Sequence, residues 1–280
     1  MLASIAVHAI LAYGKLLHNF RLVRRGAGWA SVQASLSDES AAGVLIVVRH
    51  SRGMLDIAML HCALCNLCAG KLPACVVHPF FFGSPMAPLC AALNCIPAGD
   101  PEALVQAMAL GPVLLAPGGS YEMFKPAHEV GTTAWAARPR FAELASRYGW
   151  QVVPCCMDNA EYHVWSPLFW TPLPDLMRWA MGSARRRASA RRARERQSRL
   201  MRAWTHYGIW TPLLMVVSAL WILAVPIPVS IKARFGAPLS GSGKHDGKEA
   251  RGADERSNSS DDEAARAEQL AAMCRAMLEC

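Results

Sequence analysis

The chain has 280 residues, enough for one large domain or a domain with appendages. Apolar residues make up 53% and charged residues 18%, which leaves no case for a wholly disordered chain and allows a large core with apolar surface left for a membrane. The net charge of +8 directs it toward anionic membranes or nucleic acid, and nine arginines between Arg185 and Arg202 supply much of it.

Residues 1–25 are apolar and then basic. Their uncharged run, 1–14, is shorter than the ~20 residues that span a bilayer, so 1–25 is expected to be a membrane-associating helix, interfacial or the remnant of a longer anchor. It has no basic n-region and no good cleavage site, so no signal peptide is expected. The ten cysteines then read as reduced core hydrophobes on the cytosolic side. VLIVV (44–48) predicts a buried parallel strand and 54–69 a buried helix. On that helix HCALCNLC sets Cys62, Cys65 and Cys68 on one stripe. No second cluster supports a zinc site, so core packing is expected, with metal binding or lipidation as alternatives.

ACVVH (74–78) is a second strand, and 84–94 and 101–109 are helices, the latter with Pro101 in its first turn. PVLLAP (112–117) is a third strand ending at Gly118-Gly119, 138–148 an amphipathic helix and 150–157 a fourth strand. This alternation predicts an α/β fold, a largely parallel sheet flanked by helices, with hydrophobic membrane-associating segments. A domain over 40–238 is expected to carry an arginine-rich insertion, 184–202, and a hydrophobic segment, 207–225. The uncharged run 207–231 is long enough to span a bilayer. Pro212, Pro226 and Pro228 interrupt it, and its second half reads equally as a strand and turn. Residues 239–261 are expected to be a disordered loop and 262–280 a C-terminal helix.

Two motifs carry chemistry. In RHSRGMLDI (49–57), His50 follows a strand and Asp56 stands near a helix start. The carboxylate can fix one imidazole nitrogen while the other takes a proton from a hydroxyl. The bland reading is a capped helix with a loop histidine. In PGGSYE (117–122), two glycines end a strand and expose N–H groups that could stabilise an oxyanion, or simply supply positive φ. A serine-hydrolase elbow is excluded because it needs glycine where Glu122 stands.

As an ordered set these segments resemble the glycerolipid acyltransferase superfamily, the lysophosphatidate acyltransferase-like enzymes. Within it they resemble the diacylglycerol acyltransferase-like branch that includes the plant phytyl ester synthases. The resemblance runs through the five residues between His50 and Asp56, Pro117-Gly118-Gly119 with Glu122, and Trp135, Arg140, Phe141 and Ala145. It continues through Val153-Pro154, the Gly236-Ala237-Pro238 turn and the final helix. It implies that His50 is the general base and Asp56 its orienting partner, with acyl-CoA as acyl donor, no acyl-enzyme and no cofactor or metal. It also implies that Gly118, Gly119, Ser120, Tyr121 and Glu122 line the substrate site, and that the protein acts at a membrane, with the endoplasmic reticulum facing the cytosol as the expected location.

The chain departs from that pattern at Tyr121, where an arginine is common, and in having no lysine or arginine from Leu72 to Phe124. A phosphate-bearing acceptor normally needs such a cation. No cation is therefore expected near the site, and the expected acceptor is a neutral lipid: diacylglycerol, monoacylglycerol or a long-chain alcohol. The alternatives are a lysophospholipid or glycerol-phosphate acyltransferase, and a catalytically weak membrane-surface protein whose arginines attract anionic headgroups. Nucleic acid is not an expected partner, because no aromatics interleave the arginines.

Overall fold

The computed structural model describes residues 2–37, 43–51, 55–68, 72–123, 125, 127–133, 135, 139–165, 225–240 and 256–278. The first half holds α1 (Leu2–His18), β1 (Arg21–Val23), α2 (Ala27–Ser37), β2 (Val44–Val48), α3 (Leu55–Leu67), β3 (Ala74–Val77), α4 (Ala87–Ala92), β4 (Cys95–Pro97), α5 (Pro101–Leu110) and β5 (Val113–Leu115). The second holds α6 (Ser120–Met123), α7 (Arg140–Tyr148), β6 (Gln151–Asp158), β7 (Val164–Trp165), β8 (Val225–Pro226), β9 (Lys232–Phe235), β10 (Leu239–Ser240) and α8 (Arg256–Leu278).

All five residues of β2 are buried. A strand can be apolar on both faces only where both faces are covered. Val44, Ile46 and Val48 pack with Trp29, Val32, Leu60 and Leu64, whereas Leu45 and Val47 pack with Leu104, Met108, Phe141 and Leu270. The two-residue period of a strand thus divides one apolar run between two cores. β2 lies between β5 and β6 and is parallel to both, and β3 and β4 extend the parallel order beyond β5. On the other side β9 and β10 run antiparallel to β6, and β1 adds parallel to β9. The sheet is therefore largely parallel and flanked by helices, with an antiparallel margin. A separate two-stranded ribbon pairs β7 with β8.

Several elements lie beyond the expected domain limits. β1 and α2 precede residue 40, and α2 begins so close to the margin that a Cβ on Gly28 would stand 1.8 Å from the carbonyl oxygen of Gly236. The expected disordered loop, 239–261, is corrected at both ends. Leu239 is buried and pairs with Val152, and α8 starts at Arg256. The anchored part of α8 buries Ala267, Leu270, Ala271, Cys274 and Leu278 along one stripe. Once a helix is nucleated by such packing, extending it N-terminally adds a bond per residue at little cost, so polar composition does not stop it.

α1 lies along α3 and α4, with Val7 buried and Gly14 so close to Met59 that a Cβ there would sit 2.6 Å from the sulfur. Its opposite side leaves Ile5 and Leu16 exposed. Among the described residues no helix is long and apolar enough to cross a membrane. The arginine-rich segment 184–202 and nearly all of 207–225 lie outside the described residues.

Candidate active site

β2 and β5 are parallel neighbours, so their carboxyl ends open onto the same edge of the sheet, where α/β sheets bind ligands. His50 stands two residues past the end of β2, with its side chain 14% exposed. Asp56 is fully buried in the first turn of α3. Its Oδ2 accepts the main-chain N–H of Ser51 at 2.8 Å, which ties the residue after His50 to the first turn of α3. Its Oδ1 lies 3.7 Å from His50 Nδ1 and has no hydrogen-bond partner among the described residues. His50 Nδ1 instead bonds the carbonyl oxygen of Ser51 at 2.9 Å. A carbonyl only accepts, so Nδ1 carries a proton in this bond, and in the neutral ring the lone pair is on Nε2.

Glu122 completes the group from α6. It is buried, and its Oε2 accepts the main-chain N–H of His50 at 2.8 Å across 72 residues of sequence. The two glycines before it serve different ends. A Cβ on Gly118 would meet Glu122 Cγ at 2.1 Å, so the carboxylate lies directly over that position. Gly119 has open space but φ +50, a left-handed conformation that disfavours any side chain. Its N–H is donated to Ala116 at 3.1 Å, which removes it from the expected set of oxyanion donors. Tyr121 is half-buried, with its N–H bonded to Gly118 at 3.1 Å, and the side chain of Ser120 is outside the described residues.

The expectation that no cation stands near the site is corrected. Arg49, beside His50 in the chain, and Lys125, three positions after Glu122, both reach Glu161 Oε1, at 3.5 Å and 2.7 Å. These cations come from outside the 72–124 window. Nothing local in the sequence marks Glu161, and the partnership needs a turn, a helix and a strand end to meet. Arg49 also donates to the carbonyls of Gly131 and, at 2.7 Å, Leu278, and Lys125 to that of Thr132 at 2.9 Å. Ser51 was likewise not among the expected site residues, although its carbonyl holds the His50 ring and its N–H is held by Asp56.

Cys62, Cys65, Cys75, Cys95 and Cys155 lie in the core on the α1 side of the sheet, and Cys274 in the core under α8. Cys62, Cys65, Cys75 and Cys90 are buried, and burial pushes the Cys62 thiol up to about 11 and those of Cys65 and Cys95 to about 12. Thiols held neutral in this way are poor nucleophiles and ligands. Among the described residues no three His, Cys, Asp or Glu side chains converge on a metal position.

No protein-family profile and no curated protein matches the chain. Among solved structures it is similar to the 1-acyl-sn-glycerophosphate (LPA) acyltransferase PlsC from Thermotoga maritima, with 12% identity over 99% of this chain and 81% of that one, and a TM-score of 0.45. A likeness this slight has no bearing on the reaction.

Proposed function

We propose that the chain is a membrane-associated O-acyltransferase that moves a fatty acyl group from acyl-CoA to the hydroxyl of a neutral lipid. The observation that carries this reading is the meeting of His50, Asp56 and Glu122 at the edge shared by β2 and β5, from motifs far apart in sequence. With Nδ1 protonated, His50 Nε2 is the base that takes the acceptor's hydroxyl proton. The oxygen attacks the thioester carbonyl, and the tetrahedral intermediate collapses to an ester and the CoA thiolate, which takes the proton back from the imidazolium. Asp56 Oδ1 stands 3.7 Å from Nδ1, beside the ring that the Ser51 carbonyl holds, and is the candidate orienting partner. Glu122 holds the His50 main chain and touches no reacting atom.

Diacylglycerol, monoacylglycerol or a long-chain alcohol is the proposed acceptor. A phosphate-bearing acceptor is the second reading, because Arg49 and Lys125 stand beside the site. Lys125, however, is fully buried and donates to Glu161, Arg49 forms an ion pair with the same carboxylate, and both cations donate to main-chain carbonyls. That arrangement favours the neutral acceptor. A weakly catalytic lipid-binding protein is the third reading.

Purified protein given acyl-CoA with diacylglycerol, monoacylglycerol, a long-chain alcohol or lysophosphatidate is expected to esterify a neutral acceptor, and His50→Ala to abolish transfer while vesicle binding persists. A clear preference for lysophosphatidate overturns the neutral acceptor. Transfer that survives His50→Ala overturns the mechanism.

A further inference from the structure

We propose that Glu161 is a positioning residue for His50, acting through Arg49 and Lys125; this rests on His50 being the base. Glu161 lies in the short 3-10 turn (Ala160–Tyr162) that follows β6, the other parallel neighbour of β2. One of its oxygens, Oε1, meets both cations, Arg49 Nε at 3.5 Å and Lys125 Nζ at 2.7 Å. Each cation leads to His50 by a different route. Arg49 precedes His50 in the chain. Lys125 donates its main-chain N–H to the carbonyl of Glu122 at 3.2 Å, and the Glu122 carboxylate accepts the His50 N–H. A closed ring of contacts therefore includes the His50 amide, with the Glu161 carboxylate joining the Arg49 route to the Lys125 route.

The same ring collects the surrounding chain. Arg49 holds the carbonyls of Gly131 and Leu278, and Lys125 that of Thr132. The last turn of α8 and the 131–132 loop are thus tied to the group that holds the base. Such burial of charge is a poor way to stabilise a fold, since an apolar set of similar volume does as well or better. Lys125 and Leu45 are equally inaccessible to solvent, and the lysine sits where a leucine or methionine would satisfy packing alone. What the charges supply and an apolar set does not is direction: fixed donors on one acceptor hold the strand end and the α6 turn at one separation. A base must sit within a fraction of an ångström of its productive geometry, so a small relaxation here reaches the rate before it reaches stability.

The test is the double variant Lys125→Met/Glu161→Leu, which removes the buried Lys125–Glu161 pair together and leaves Arg49 its bonds to the carbonyls of Gly131 and Leu278. It is expected to fold with a melting temperature close to that of the wild type. Its kcat is expected to fall by about 10- to 100-fold with KM changed by less than about twofold, the size of loss a slightly misplaced catalytic group produces. The NMR shift of the His50 ring, read on histidine-labelled protein without substrate, is expected to move. A folded double variant with wild-type kcat, or with an unmoved His50 signal, overturns the proposal. If that variant does not fold, Arg49→Met decides in its place, since it breaks one route and leaves the Lys125–Glu161 pair intact: lowered kcat and a moved His50 signal support the proposal, and wild-type values of either overturn it. His50→Ala in the same assay separates this proposal from the proposed function, because full activity in that variant rejects the base itself, whereas the shift reports the position of His50 whatever reaction it serves.

Discussion

The carboxylate of Glu122 accepts the main-chain N–H of His50 at 2.8 Å while its methylene lies where a Gly118 side chain would begin. One side chain therefore explains two features of the motif. Glutamate fits because a partly buried N–H past the end of a strand gains an acceptor there. Glycine is needed four positions earlier because the acceptor's stem passes over it. The site is held from the main chain outward, with the Glu122 carboxylate on the His50 N–H and the Ser51 carbonyl on its ring.

This coupling is measurable. Gly118→Ala forces a Cβ against the Glu122 stem and is expected to destabilise the fold by about 1–3 kcal/mol, the usual range for overpacking. In a Glu122→Ala background most of that loss should vanish, because the obstructing atoms are gone. Gly119→Ala is expected to cost about 1–2 kcal/mol for its left-handed backbone in either background. Urea midpoints of the single and double variants, compared at constant slope, check all three. Equal losses for Gly118→Ala in both backgrounds would show that the two positions do not interact.

One oxygen of Asp56 holds the Ser51 N–H, and the other lies 3.7 Å from His50 Nδ1. Asp56→Asn keeps an acceptor for the Ser51 N–H, so its stability should stay near that of the wild type. Removing the charge beside His50 should still lower kcat by about 100-fold, within the range that a positioned base contributes. Asp56→Ala should lose both activity and about 1–3 kcal/mol of stability, because a buried N–H is left without its acceptor. Thermal melts beside initial rates separate the two roles, and an active Asp56→Asn would rule out the orienting role.

How far the chain was legible follows from how local each signal is. β2, α3 and the residues between them are contiguous, so a β-branched run, a histidine and a helix-start aspartate can be read in order. The glycines before Glu122 were readable as a turn, but the reason for Gly118 is a contact with a side chain four residues away. The Arg49–Glu161–Lys125 group was not readable. Its members are polar in sequence and read as surface, and Lys125 and Glu161 stand 36 residues apart. β1, β4 and β10 are too short to show a period, and β1 depends on a partner near the other end of the chain. α8 begins earlier than composition suggests because its buried stripe, not its first residues, holds it in place.

The contact between Gly28 and Gly236 marks where the N-terminal part joins the sheet margin. A Cβ on Gly28 would stand 1.8 Å from a main-chain oxygen and 2.9 Å from its carbon, so no rotamer change can relieve the clash. Gly28→Ala is expected to cost about 3 kcal/mol, the upper end for overpacking. The loss should appear as early exchange of β9 amides, since Gly236 directly follows β9. Hydrogen exchange beside chemical denaturation checks this, and a variant with wild-type protection at β9 would show that α2 can shift without cost.

Acid should loosen the fold from the same side. His18, fully buried at the end of α1, has its pKa pushed below the ordinary value by burial and then by the neighbouring His163, whose ring centre is 5.5 Å away. His61, buried in α3, is also lowered by burial. For both groups the unfolded chain binds the proton more readily than the folded one. Stability is therefore full above the unfolded value of about 6.5 and falls as the pH drops below it, until the folded groups also protonate. His18→Phe keeps an aromatic ring against Tyr13 and His163 but removes one ionisation, so its stability should decline less steeply below that pH. Melting temperatures of the two proteins between pH 8 and pH 5 test this. Parallel declines would show that His18 contributes nothing to the acid sensitivity.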